Sequence, residues 1–284
     1  MPTITDTLLK RIVPSLAKVP GVVAVVLGGS RARGTANEAS DYDIGLYFES
    51  AEPLDTESLL NVVRTLVDDP VSAAVTPVGE WGPRIVGGGW LSVAGRKVDL
   101  LYRNIERVAT VIDECRAGRV LMEYQPGHPH GFCSAIWMGE VALCQPLYDP
   151  DESIHKLKAS TSPYPVALRT ALVNTFLWEV SFSIDNAQTA ISRHEQVHVA
   201  GCAYRALCCM AQVLFALNGR YLINEKASLI EAATFICTIR DLETQVKRVW
   251  AAIGESDLAT AVSVLRAMDR DLHAMVETHS RPGS

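Results

Sequence analysis

Glycine and proline are so unevenly placed along this 284-residue chain that two kinds of structure must be expected within it. Residues 1–150 hold 15 of the 19 Gly and 11 of the 14 Pro, whereas Val166 to Arg281 contains no Pro and only three Gly. Pro interrupts a helix because it lacks an N–H and clashes with the preceding turn, and Gly because it loses the most conformational entropy. The first half is therefore punctuated as strands and turns, while the second can sustain long helices. The expectation is an α/β N-terminal domain over 1–150 and an all-α helical bundle over 151–284.

Local patterns fill in that outline. Leu8, Leu9, Ile12 and Leu16 share one side of a helix running from about Thr5 to Lys18, with Pro14 inside it. Val22–Leu27 is a mostly β-branched apolar run ending at Gly28-Gly29, which suits a buried strand. Asp43–Glu49 reads as a second strand and residues 55–68 as a helix. Gly89–Ala94 and Lys97–Arg103 flank a hairpin turn placed at Gly95-Arg96, and a helix follows from about Asn104 to Ala117. Gln125-Pro-Gly-His-Pro-His-Gly131 reads as a loop, with His128 and His130 exposed on it. In the second half Leu168, Leu172, Phe176, Val180 and Ile184 recur every four residues, as a bundle-core face does.

Composition excludes some classes of function. With 26 Lys plus Arg against 32 Asp plus Glu, the net charge is −6, unsuited to broad duplex binding through many neutralised phosphates. The longest clearly apolar charge-free run, Ala206 to Gly219, falls short of the roughly 20 residues of a membrane span. The N-terminus shows no basic region followed by an apolar stretch, so no signal peptide is expected. Seven cysteines without a Cys-x-x-Cys read as thiols of a reducing compartment rather than a disulfide framework. A cytoplasmic protein is expected.

The informative segment is Gly28-Gly29-Ser30-Arg31-Ala32-Arg33-Gly34, followed by Ser40-Asp41-Tyr42-Asp43. A strand running into Gly-Gly-Ser can offer backbone N–H groups and a hydroxyl to an anion with no Cβ in the way. Asp41 and Asp43 lie two apart on an extended segment, so their carboxylates project from one face. Asp99 is isolated among apolar neighbours in a later strand-like stretch, Lys97–Tyr102. Three carboxylates gathered near a phosphate-binding turn need a counterion, and Mg2+ favours carboxylates together with phosphate oxygens.

Gly29-Ser30, ten residues, Asp41-Tyr42-Asp43 and a later Asp99 resemble the nucleotidyltransferase superfamily of DNA polymerase β. The pattern is most similar to the aminoglycoside, lincosamide and minimal nucleotidyltransferases, over roughly residues 20–105. The resemblance implies a mixed sheet of the nucleotidyltransferase fold with an appended helical domain. It further implies transfer of a nucleoside monophosphate, AMP from ATP, to an acceptor hydroxyl, such as that of an antibiotic, with release of pyrophosphate. Gly28, Gly29, Ser30 and Arg31 would bind the nucleotide. Asp41, Asp43 and Asp99 would be catalytic and would ligate one or two Mg2+ ions. Lys226, in Asn218-Gly-Arg-Tyr-Leu-Ile-Asn-Glu-Lys226, resembles a helical-domain lysine that reaches the triphosphate. Its alternative is a polar turn after a helix end at Gly219. A silent nucleotide-binding or antitoxin-like module of the same fold is the competing reading, and the presence of all three aspartates disfavours it.

A second motif competes. His194-Glu195-Gln-Val-His198 fits the zinc-protease pattern His-Glu-x-x-His, which needs both imidazoles on one helix face. Tyr204 stands where the longer pattern requires a third His. Trp81 and Trp90, near the third carboxylate, are expected to pack against the sheet or stack on a base.

Overall fold

The computed structural model describes residues 6–279; Thr5 and the tail beyond His279 lie outside the described residues. Two compact units share the chain, and they interleave in sequence. One comprises the residues up to Glu114 together with Trp137–Pro163, and the other Cys115–Ile136 together with the residues from Tyr164 onward.

The first unit begins with α1 (Thr7–Leu16), whose N-cap Asp6 accepts hydrogen bonds from Leu8 N at 2.8 Å and Leu9 N at 3.1 Å. These satisfy two of the amide groups a helix start leaves without partners. Next come β1 (Ala24–Leu27), the short α2 (Gly29–Arg33), β2 (Tyr42–Phe48), α3 (Thr56–Leu66), β3 (Gly88–Val93), β4 (Arg96–Asn104) and α4 (Ile105–Arg116). The chain then contributes β5 (Met122–Gln125) and β6 (His128–Cys133) to the second unit, and returns with α5 (Ala135–Leu143), β7 (Gln145–Tyr148) and α6 (Ser153–Ser160).

The sheet is mixed, in the order β3-β4-β2-β1-β7. Only β2 and β4 run parallel, and the other neighbours are antiparallel. One face is apolar: Tyr42, Ile44, Leu46, Val98, Leu100, Leu91 and Val93 are buried in a core with Leu8, Ile12 and Leu16 of α1 and Leu59 and Val63 of α3. The opposite face, carrying Asp43, Asp99 and Trp90, is only partly covered. That difference between the faces leaves room for a site.

The hairpin turn between β3 and β4 is Ala94-Gly95, one residue earlier than the sequence places it. Both residues have positive φ, 52° and 69°. Asp68 holds the turn, accepting Ala94 N at 2.7 Å and Gly95 N at 2.9 Å.

The second unit is helical apart from the β5–β6 hairpin. Its helices are α7 (Val166–Ala190), α8 (Gln196–Leu217), α9 (Ser228–Ala232), α10 (Leu242–Gly254) and α11 (Leu258–His279). α7 and α8 pack along each other, and α11 packs on both. α8 is long and apolar enough to cross a membrane, but 72% of its most apolar 18-residue window is buried in the structure, as in a core helix. The segment expected as a loop at 125–131 is instead the tip of the β5–β6 hairpin. Its breakers Pro126 and Gly127 form only the two-residue turn, and Gln125 pairs with His128 across it. None of the seven cysteines forms a disulfide.

Candidate active site

The parallel pairing of β2 with β4 does what the linear sequence could not. It sets Asp43 directly opposite Asp99, and side chains at paired positions project from the same face. Asp41 precedes β2 by one residue, so two of the three carboxylates sit side by side and the third stands at the strand's entry. Among the described residues no three His, Cys, Asp or Glu side chains gather closely enough to form a ready metal cluster. A divalent ion that takes one or two protein carboxylates and completes its shell with phosphate oxygens and water needs no more than the Asp43–Asp99 pair.

Gly28 and Gly29 meet this pair at the end of β1. Gly28 N donates to Asp43 O at 2.7 Å, tying the turn to β2. Gly29 has φ +59°, and a Cβ there would lie 1.8 Å from Asp43 Oδ2. The carboxylate thus rests on bare backbone, and only glycine allows it. Ser30 follows, half-buried, in the first turn of α2.

Arg31 is committed to the loop before β2. Its Nη2 donates to Ser40 O at 2.7 Å, and its Nε lies 3.2 Å from both Ser40 O and Asp41 O. The guanidinium also lies 3.8 Å from the Tyr42 ring centroid, a cation–π contact. Tyr42 in turn donates its hydroxyl to Asp6 Oδ2 at 2.8 Å. Burial and that bond to the Asp6 carboxylate raise the Tyr42 hydroxyl's pKa. Burial opposes the charged form of Asp6, but the bonds from Tyr42, Leu9 and Leu8 prevail and lower its pKa. A chain of contacts from the α1 N-cap through Tyr42 and Arg31 therefore fixes the Asp41-Tyr42-Asp43 segment. Nothing in the motif reveals Asp6 or Tyr42 as parts of that support.

Lys226 belongs to the helical unit. There it lines a cavity of about 470 Å³ together with Tyr204, Cys208, Glu225 and Trp250. Beside it runs a line of polar groups the sequence did not disclose. Arg205 pairs in bidentate fashion with Glu179 at 2.6 and 2.8 Å, and its Nη1 lies 3.1 Å from His130 Nδ1. His130 N donates to Glu225 Oε1 at 3.2 Å, and His128 Nδ1 lies 3.3 Å from Glu225 Oε2. The two histidines expected on an exposed loop are thus largely enclosed, with His130 4% exposed, because the hairpin turns them toward the helices of the same unit. Burial, and then the charge of Arg205, push the His130 pKa down to about 4.

The zinc-protease motif does not form. His194 has φ +53° and lies outside the helix, and Glu195 is the N-cap of α8. His198 is helical, so the two imidazoles do not share a helix face, and His198 Nε2 is instead 3.5 Å from Cys202 Sγ.

Residues 8–119 match the family model of the nucleotidyltransferase domain. The N-terminal unit carries a nucleotidyltransferase domain. Its chemistry is nucleotidyl transfer from a nucleoside triphosphate, carried out in this family with divalent metal ions, and the chain is accordingly a transferase. Residues 139–226 match a second model, a domain of unknown function (DUF4037). No curated protein matches the chain. Among solved structures, a nucleotidyltransferase-like protein from Exiguobacterium sibiricum aligns over 95% of this chain and 76% of its own, with 11% identity and a TM-score of 0.44.

Proposed function

We propose that the nucleotidyltransferase domain is an active, Mg2+-dependent enzyme that moves AMP from ATP to an acceptor hydroxyl and releases pyrophosphate. The observation that carries this reading is the Asp43–Asp99 pair on the half-open face of the sheet, with Gly29 backbone against Asp43. Mg2+, when bound, would be held by Asp43 and Asp99 with help from Asp41, and would neutralise charge on the phosphates.

This chain's own groups have distinct tasks. The turn receives the phosphates through the backbone N–H groups of Gly29 and Ser30 and the Ser30 hydroxyl, while the Gly28 N–H stays on Asp43 O and holds the turn against β2. Arg31 acts as a positioning residue, holding the Asp41–Asp43 segment through Ser40 O and Asp41 O. In the transfer, the acceptor oxygen forms a bond to the α-phosphorus as the bond to the bridging oxygen breaks. The electron pair leaves with pyrophosphate, and Asp99 takes up the acceptor's proton before passing it to water. All of these groups belong to the N-terminal unit.

The test is incubation with labelled nucleoside triphosphates, Mg2+ and a mixed panel of acceptors, with water as the background acceptor. Asp43→Asn and Asp99→Asn should each lower pyrophosphate release by about 100-fold or more. Thermal melting on the same preparations checks that both variants fold, so that the loss is one of chemistry. Turnover near that of the wild type in either variant would overturn the reading.

A further inference from the structure

Across the sheet, Asp99 has a second neighbour. Trp90 on β3 is its register partner on the side away from Asp43, so Trp90, Asp99 and Asp43 form one row on one face. Trp90 is 74% exposed, an unusual state for the largest apolar side chain, and it stacks on Trp81 with ring centroids 4.7 Å apart and planes at 24°. Backbone geometry sustains the stack: a Cβ on Gly88, two residues before Trp90 on the same face, would come within 2.9 Å of Trp81 Cζ3. From Trp90 onward the strand alternates, with Trp90 and Ser92 exposed and Leu91 and Val93 buried, so the indole cannot turn into the core without a slip in register. The stacked pair forms an aromatic shelf on the strand next to the third carboxylate.

The strand order tells which substrate meets this shelf. From the phosphate turn after β1 the row runs β1, β2, β4, β3, so the shelf lies three strands away, roughly 14 Å at the usual strand spacing. In an in-line displacement the entering and departing oxygens lie on opposite sides of the phosphorus. With pyrophosphate departing toward Gly28–Ser30, the entering hydroxyl comes from the side of Asp99 and Trp90. Resting on the transferase reading above, we propose that Trp90, backed by Trp81, is the acceptor-positioning surface, and that the acceptor carries its attacking hydroxyl directly on a ring. Trp90 and Asp99 are register partners on adjacent strands and project from one face, so a ring held on the indole is held beside that carboxylate. A hydroxyl on a long flexible arm would gain nothing from such a shelf.

The experiment uses the full chain and its Trp90→Ala and Trp90→Phe variants. The probes are kanamycin, lincomycin and tyrosine amide as ring-borne hydroxyls, glycerol as an acyclic hydroxyl, and ATP. At least one ring probe should quench tryptophan fluorescence in the wild type and not in Trp90→Phe. For that probe Trp90→Ala should raise KM at least tenfold with kcat changed less than threefold, and Trp90→Phe should recover most of the loss. Affinity for ATP should stay within twofold in both variants. A tenfold loss of ATP affinity would assign the shelf to the nucleobase and overturn the proposal. So would equal effects on ring probes and glycerol, or the absence of any Trp90-dependent quenching by the ring probes. Trp90-dependent quenching without any pyrophosphate release would uphold the shelf and condemn the transferase reading instead, so the two failures are distinct.

Discussion

At the scale of single residues, the site depends on where one side chain is missing. Gly29 supports the Asp43 carboxylate at a distance no Cβ permits, in a left-handed backbone conformation that costs other residues about 1–2 kcal/mol. Gly29→Ala should therefore drive the carboxylate off its place. A displacement near 1 Å at a reacting centre costs about 100-fold in rate, so turnover should fall by roughly that factor while stability falls by only ~1–2 kcal/mol. Pyrophosphate release and thermal melting, measured on the same preparation, check both halves. Undiminished turnover would mean that Asp43 does not need this seat. The motif itself was legible, because Gly29-Ser30 and Asp41-x-Asp43 are local in sequence. That Asp99 joins Asp43 was expected only through the family resemblance, and their direct pairing was hidden, since it depends on parallel pairing of strands 56 positions apart. The target of Arg31 was hidden too: a cation beside a phosphate-type turn reads as a phosphate ligand, and its bonds to Ser40 O and Asp41 O depend on how the loop closes. The outward face of Trp90 did leave a trace, because it shares parity with Ser92 in a strand whose other positions are apolar.

At the scale of elements, β-branched runs and helical spacing located α1, β1, β2, α3, β3, β4 and α4 to within a residue or two, but not α2, α5, β7 or α6, which the sequence reading did not place. Turns fared less well, because a glycine can occupy either position of a two-residue hairpin. Ala94-Gly95 shows the difficulty: an alanine takes the left-handed position that Asn, Asp or Gly ordinarily fills in such turns. Ala94→Asn should then stabilise the protein, by up to ~1 kcal/mol, since Asn tolerates this conformation and the Asp68 bonds go to backbone amides that remain. A rise of a few degrees in melting temperature with unchanged turnover is the expected result, and a fall would contradict the strain at Ala94. The hairpin at 122–133 was hidden for a related reason. Its Pro and Gly residues are dense enough to read as a loop, yet only two of them are needed for the turn, and the flanking residues pair.

At the scale of the whole molecule, acid should act first on the helical unit. His130 is held neutral, with its pKa near 4 against an ordinary value of about 6.5. The unfolded chain takes up a proton on this group as pH falls through 6.5, and the folded chain only near 4. Its contribution to stability is thus complete above pH 6.5 and is lost as pH falls toward 4, on the order of 3 kcal/mol in all. Glu225 acts in the same direction. Despite burial, bonds from His128 and His130 hold its pKa below the usual range, and that contribution disappears at still lower pH. His130→Gln should flatten the pH dependence between 6.5 and 4.5 while retaining an acceptor for Arg205. Denaturant unfolding at several pH values measures this, and an unchanged slope in the variant would show that His130 is not the group responsible. Composition foretold the helical character of this unit but not its polar interior, because Glu179, Arg205 and Glu225 come from separate parts of the chain and the hairpin supplies both histidines.

The interleaving of the two units also bears on synthesis and on cutting. Edge strand β7, which completes the sheet against β1, emerges from the ribosome only after the β5–β6 hairpin has been made. That hairpin must then wait, without the helices of its own unit, until the residues beyond Tyr164 arrive. A nascent chain therefore passes through a stage in which its first unit can close while His128, His130 and the apolar side of the hairpin still have no shelter. Any fragment ending near residue 150 would be halted at that stage, carrying a strand pair that belongs to the missing half.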